Sequence, residues 1–586
     1  MKDRQPQPTA VALIRQTNDG LAATGAFTRF SAAFTCPDAR PGDLYEITPG
    51  RNPKPLRRIG RPSSAPAVIE ALAVHAGERD FTGRQERHAR QLAEAGECCK
   101  RRDLRDLPTF TIDGDSTRDF DDALSARREG ENIRVWVHVA DVAAYVRPGS
   151  ALDREARRRA TSIYLPTRTV PMLPEALSTG VCSLLPGADR AAVTCELLLA
   201  DGEVIAERFY RSLIRSDARL TYTHVDDIFT GRAEPGPTYA AALAAARQAA
   251  VDREADSSQR SDEAVFEFDG DEVCAISARR QREAHRLIER LMVLANQQVA
   301  AFLACRGVPT LYRTHARCEP QRLSRTLQRL RSLGVHPRQP TLQCAAEAVD
   351  AYEAAHGPAD AVRSLLWGAR PPAAYARELA AHEGLGLEAY CHFTSPIRRY
   401  ADLVVHRALL AELGAEPADS APRYVQLPDL AEHLNERNRV ARKLERRAGD
   451  ICRVSLLRRR LRNGETARTL AGTVVGMSEA GCFVSVDCAE GLLGARTLGG
   501  QPNAQHTVWR SQHGPLRLGD TVGVRIEALD PVRGHLRLAM TAPAPASARA
   551  QALPMPMAAP VTRAVRPARS FSVMVIFPRI AVRVFP

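Results

Sequence analysis

The sequence predicts an α+β chain: a mixed sheet with helices around it, followed by a small five-stranded β-barrel. Three stretches carry that reading. Residues 132–145 alternate, with Ile133, Val135, Val137 and Val139 on one side and Arg134, Trp136 and His138 on the other, which is the period of a strand. Between Arg282 and Cys305 the apolar positions Leu287, Ile288, Leu291, Met292, Ala295, Val299 and Phe302 keep helical spacing. From Thr469 to Met540 the chain changes to short alternating runs punctuated by glycine.

At 586 residues the chain is too long for one compact domain. Residues 1–65 are read as a partial or single small barrel and a linker. Thr28 to Thr35 has strand character, Pro41 to Ile47 is a turn entering a strand, and Arg51 to Ser64 reads as the linker, being rich in Pro, Gly and Arg. Residues 66–465 are read as the main domain. It opens with a helical pattern from Ala67 to Glu97, broken near Gly77 and Gly83. Leu152 to Thr161 is a basic helix and Ser162 to Pro174 a Pro-punctuated loop. Val193 to Leu199 and Val204 to Ile214 read as strands paired through Asp201-Gly202. Asp227 to Gln259 is an Ala-rich helix, and Ala264 to Ile276 is strand-like. Helices continue to Leu379, another runs to about Leu413, and Arg437 to Leu461 is a strongly basic one. Residues 466–541 form the barrel, and 542–586, rich in Ala, Pro and Arg, read as a disordered tail.

Net charge is +13, and arginine greatly outnumbers lysine, which suits bidentate contacts to phosphate. The thirteen cysteines are scattered without a CxxC pair, so neither a zinc module nor a disulfide framework is indicated, and a reducing cytosol is expected. No apolar run is long enough to span a membrane, and residues 1–10 lack the apolar core of a signal peptide.

Against this basic background stands one acidic stretch, TIDGDSTRDFDDAL, Thr111 to Leu124, with five aspartates at 113, 115, 119, 121 and 122. Crowded carboxylates repel one another, and a divalent cation held by their oxygens removes that cost. Strand-forming Phe110 and Ile112 lead in and Ala123 and Leu124 follow, which favours a pocket over a solvated loop.

This stretch is followed in order by VWVHVADVAAYV, SIYLPTRTVPMLPEALS, IRSDARLTY, EAHRLIERLMVLAN and HFTSPIRRYADLVVHR. The ordered set, from about Leu107 to Leu461, resembles the catalytic domain of the ribonuclease II/ribonuclease R (RNB) family of exoribonucleases. Residues Ala471 to Met540 resemble an S1-type oligonucleotide-binding (OB) barrel, and the N-terminal region is then an OB/cold-shock-like element. The resemblance implies a monomer that hydrolyses single-stranded RNA processively, 3′→5′, to nucleoside 5′-monophosphates in the cytoplasm. It also implies Mg2+, two ions during catalysis, with Mn2+ as a substitute. The family's metal-binding carboxylates fall on Asp113, Asp119, Asp121 and Asp122, and Asp115 lies where no acid is needed. Asp119, Asp121, Asp122 and Arg398 are the implied catalytic group. Tyr164, Glu289, Arg398, Arg399 and Phe483 are the implied substrate contacts.

The chemistry suits those residue types. In-line phosphodiester hydrolysis needs an activated water and charge relief on both oxygens of the displacement, which paired cations supply. The always-charged fork of Arg398 suits a phosphoryl oxygen, and the flat ring of Tyr164 suits a terminal base. Phe266 and Phe268 are weaker stacking candidates, better suited to the core. His285 and Glu289 share a helix face, and His138 and Asp141 shape the fold around the site. Arg439, Arg442, Lys443, Arg446, Arg447 and Arg458 to Arg460 offer a wall for a phosphate backbone, or else a solvated helix face.

Three departures from the family pattern are visible. About 100 residues precede the catalytic region, where two cold-shock barrels are usual; Ser258 to Glu263 lacks the usual RGAxDF-like run; and Glu383 stands where an aromatic is common. An RNA-binding scaffold with little turnover, and a phosphodiesterase acting on DNA or short oligonucleotides, are the alternatives. RNA and DNA both stay open at this level, because that choice rests on contacts to the 2′-hydroxyl.

Overall fold

The computed structural model describes residues 9–96, 99–251, 263–279, 281–511 and 514–543; nearly all of the expected tail lies outside the described residues. Its centre is a mixed seven-stranded sheet. In spatial order the strands are Ala218–Thr221, Phe110–Asp113, Asp122–Glu129, Asn132–Ala140, Asp189–Ala200, Glu203–Arg215 and Arg102–Asp103. The two outermost pairings are parallel and the inner ones antiparallel. The alternation read in residues 132–145 is real, but both faces are covered at the middle of that strand. Val135 and Val137 are sealed on one side, and Trp136 and His138 on the other.

His138 is accommodated there by two hydroxyls: its ring nitrogens lie 3.1 Å from Ser125 Oγ and 2.9 Å from Thr194 Oγ1. Burial pulls its pKa down to about 3, so it is neutral, which makes it a core residue. Asp141, at the end of the same strand, accepts from Arg101 (2.8 Å) and from Arg211 (2.7 Å), both almost fully buried. This pins the sheet to the Arg211–Glu416 pair beyond the helix Tyr400–Glu412.

The helices Glu283–Cys305 and Tyr400–Glu412 pack with the sheet into the main core. A second core joins the barrel, the helix Ala65–His75 and the long helix Leu427–Arg462, which runs 36 residues and acts as the spine of the molecule. The C-terminal barrel closes from five strands: Thr469–Ser478, Gly481–Val486, Ala489–Gly494, His535–Pro543 and Thr521–Asp530. A small three-stranded sheet, residues 501–517, sits beside it.

Three local expectations are corrected. The stretch read as a linker, Arg51 to Ser64, contains the strand Pro55–Gly60, which forms the edge of a five-stranded N-terminal sheet. Its arginines are held by acids of the neighbouring strand and loop, Arg57 by Glu46 and Arg58 by Asp43, so a composition that looked like linker is an ion-paired edge. The hairpin Ala10–Thr17/Gly20–Gly25 in the same sheet was not read from sequence. The Pro-punctuated loop after the basic helix folds as a short hairpin, Ile163–Leu165 with Arg168–Val170. Pro166 lies between the strands and Pro171 and Pro174 follow them, so the ladder donors stay intact.

Candidate active site

The strand ending at Asp113 and the strand beginning at Asp122 bracket the acidic loop, so the sheet presents both ends of the loop at one edge. Asp121 is the buried member, 4% exposed. Its Oδ1 accepts from the Ile397 backbone N–H at 2.7 Å, and its Oδ2 lies 3.3 Å from Arg398 Nε. Phe120, wholly buried beside it, and the Ser183 hydroxyl bonded to its N–H fix the loop from below. Residues 276 positions apart are thus brought together by one carboxylate that binds the backbone of the second motif and faces its arginine.

The second motif is a loop clamped from both sides. The Ser395 N–H donates to Asp402 Oδ1 (2.7 Å), the Ser162 N–H donates to the Arg398 carbonyl (2.9 Å), and the Tyr400 N–H donates to the Ala160 carbonyl (2.9 Å). The hairpin carrying Tyr164 is thereby tied to the segment carrying Arg398. Tyr164 keeps 43% of its surface exposed, while its hydroxyl donates to Asp119 Oδ2 at 2.9 Å and its N–H donates to Glu445 of the long helix. The ring therefore stands at the rim of the acidic group with a free face and a tethered tip. Arg398 is held by Ser395 Oγ (3.0 Å) with 41% of its side chain exposed, so its remaining donors are available. Arg399 turns away and donates to the buried Asp402 at 2.7 Å. Its charge still reaches the acids, because it holds Asp122 lower than burial alone would.

The electrostatics of the acids are set by burial and by one another. Burial pushes Asp113 up to about 8, with Asp122, Asp121 and Asp119 pushing the same way and Arg398 opposing. Burial raises Asp122 to about 6 against the pull of Arg398 and Arg399. Asp121 is raised well above the ordinary carboxylate range by burial, despite Arg398 and the Ile397 amide. These acids share one field and titrate as a group.

The donor set fits a divalent cation. It is all carboxylate oxygen, the choice of hard ions, and Asp121 Oδ2 is buried with no hydrogen bond. Among the described residues no three His, Cys, Asp or Glu side chains are drawn close enough to hold an ion as they stand. Arg398 lies against Asp121, and the acids repel one another.

The other expected residues are placed as follows. Asp115 is exposed, and only its carbonyl is engaged, by Arg219 at 2.5 Å. Glu289 lies half-buried on the helix Glu283–Cys305. His285 on that helix stacks on Tyr222 at 3.8 Å. Phe266 and Phe268 pack against the second core, with Arg453 over the Phe266 ring. Phe483 is 38% exposed on a barrel strand. The site also holds a residue for which the sequence pattern predicts no role. The parallel register Thr221↔Asp113 puts Tyr222 beside the acids, and Asp113 and Asp122 help burial to raise its pKa. Its place as the last residue of IRSDARLTY was the available signal.

Comparison with known proteins identifies the family. The RNB domain family model matches residues 101–415, more than half of the chain. The chain belongs to the RNB family. Ribonuclease R of Escherichia coli K12 is 33% identical over 503 residues, covering 79% of this chain and 60% of that protein. This RNB chain thus spans about three-fifths of the length of that relative. Among solved structures, Mycoplasma genitalium RNase R in complex with ribose methylated single-stranded RNA superposes with a TM-score of 0.81 at 23% identity, covering 92% of this chain and 90% of that one. Yeast Ssd1, described as a pseudonuclease, shares the RNB-type fold at a TM-score of 0.60 and 18% identity, covering 85% and 66%.

Proposed function

We propose that this RNB protein is an Mg2+-dependent exoribonuclease that degrades single-stranded RNA processively from the 3′ end to nucleoside 5′-monophosphates. The observation that carries the reading is the junction of Asp121 with Ile397 and Arg398, which sets a phosphate-binding cation against a buried acidic group. The relatives named ribonuclease R, and the structural neighbour solved with single-stranded RNA, support the same substrate class.

Each residue has a defined task in this reading. Asp113, Asp119, Asp121 and Asp122 hold the cations, which when bound supply charge relief on the reacting oxygens and a more acidic water. Arg398 takes a non-bridging phosphoryl oxygen whose charge grows in the transition state. Tyr164 stacks on the 3′-terminal base, its ring positioned by the bond to Asp119; stacking is indifferent to base identity, as a processive enzyme requires. Glu289 and Tyr222 face the terminal nucleotide, and Phe483 offers a stacking face on the S1-like barrel.

The test is 5′-labelled single-stranded RNA incubated with Mg2+, beside EDTA and Asp121→Asn controls. A ladder shortening from the 3′ end in the wild-type protein alone supports the reading. Tight binding with no shortening points to a scaffold, and equal degradation of DNA sinks the ribonuclease assignment.

A further inference from the structure

Beside the acidic site lies a second group of cations that the chemistry above does not use. Arg313 sits on the short strand Tyr312–Thr314, cross-strand from Tyr375 of Ala374–Ala376. It is 7% exposed, and its guanidinium lies over the Tyr375 ring, 4.7 Å from the centroid. Among the described residues no carboxylate pairs with it and its side chain makes no hydrogen bond, while its nitrogens still reach the surface. The Arg399 Nε is buried without a hydrogen bond.

The surroundings are built rigidly. The Arg313 N–H donates to the Tyr390 carbonyl (2.8 Å), and Asn435 of the long helix grips both backbone polar groups of Tyr375 (2.8 and 2.9 Å). Tyr375 Oη and His392 Nδ1 are 2.8 Å apart. The charges of Arg313, Arg398 and Arg399 all act on His392, and Arg442 and Arg399 act on Arg313. Burial lowers the pKa of Arg313, and these two arginines add to that effect, so the cations repel one another there. The carboxylate facing this group is Asp402, already bonded to Arg399. A largely buried set of like charges whose planar donors reach the surface favours an anion.

We propose that Arg313, with Arg399 and Arg442 around His392, forms a second phosphate subsite that takes a non-scissile phosphodiester of the strand whose scissile phosphate goes to Arg398. This rests on the reading of a single-stranded nucleic acid substrate given above. Arg398 and Arg399 are adjacent in the chain and engage different acids, Asp121 and Asp402, so one loop serves two phosphates. The subsite then sets the register of the strand, and Arg313 is a positioning residue.

Single-stranded RNAs carrying one neutral methylphosphonate linkage at successive positions from the 3′ end test it, bound in EDTA to wild-type and Arg313→Gln protein. The wild-type protein loses affinity at one linkage upstream of the scissile bond, and the variant is indifferent at that linkage alone. On unmodified RNA the variant binds roughly 10- to 100-fold more weakly, the range of a charge-assisted bond, and Arg313→Lys recovers part of the loss. If Arg313→Gln does not fold, Arg442→Gln reads the same linkage. Identical linkage profiles in wild-type and variant overturn the proposal. So does inorganic phosphate that raises the melting temperature of wild-type but not variant while the profiles stay the same, since the site then serves a free anion. A wild-type protein that binds none of the strands instead removes the function reading itself.

Discussion

At the scale of single residues, burial and mutual repulsion poise the acids against ionisation. The folded-state pKa of Asp113, about 8, lies far above its ordinary value of 3.8. The fold therefore binds a proton that the unfolded chain releases. The stabilisation tied to that proton is complete below about pH 4 and is lost as pH rises through 8. In the proposed reading the cation is held by the carboxylate form, so at pH 7 Mg2+ would displace the Asp113 proton and its apparent affinity is expected to rise with pH up to about 8. Titration calorimetry in buffers of different ionisation enthalpy will show proton release at pH 7, and Asp113→Asn will abolish that part of it. Arg398 makes a second residue-scale prediction. Arg398→Lys keeps the charge but loses the fork, so kcat falls by roughly 10²-fold or more with a smaller change in KM, measured in single-turnover degradation.

At the scale of elements, the long helix Leu427–Arg462 does more holding than binding. Of the basic wall read from its sequence, Arg460 pairs with Asp487 of the barrel (2.6 Å), Arg459 approaches Glu272 of a hairpin (4.0 Å), and Arg447 lies over Phe27. The same helix supplies Glu445 to Tyr164 and Asn435 to Tyr375, so it positions both proposed contact regions. The barrel meets it closely. Gly534 has φ +67, and a Cβ there would stand 2.9 Å from the Ile451 backbone nitrogen. Gly534→Ala therefore combines a left-handed conformation with a backbone clash. It will cost more than about 1 kcal/mol, and limited proteolysis will cut the barrel free of the helix faster than in wild-type. Elements with strong periodicity, such as the helix Glu283–Cys305 and the paired strands after Asp189, were legible in sequence. The strand Pro55–Gly60 and the hairpin Ile163–Leu165/Arg168–Val170 were not, because their proline, glycine and arginine content signals loop and only their partners make them strands.

At the scale of the whole molecule, a net charge of +13 is partitioned between structure and substrate. Arginines paired across module boundaries contribute to assembly; in the proposed reading those facing open surface meet phosphates. RNA affinity, followed by fluorescence anisotropy, will fall with salt, and the log–log slope counts the phosphates neutralised at about 0.7 each for a single strand. Lys443→Ala, at an exposed helix position, will shallow that slope by about one phosphate. Arg460→Ala will leave the slope unchanged and lower thermal stability instead, since its charge is committed to Asp487.

The sequence by itself determined the family and the α+β class with its closing barrel, and named Asp113, Asp119, Asp121, Asp122, Tyr164 and Arg398 as candidate site residues, because ordered motifs carry residue type and spacing. Only the tertiary structure decided how these residues are arranged. It joined Asp121 to a loop 276 residues away, gave Arg398 and Arg399 different acidic partners, brought Tyr222 to the acids through a parallel strand, and laid Arg313 over the Tyr375 ring. Burial, register and charge balance belong to contacts between distant segments, and a linear pattern does not contain them.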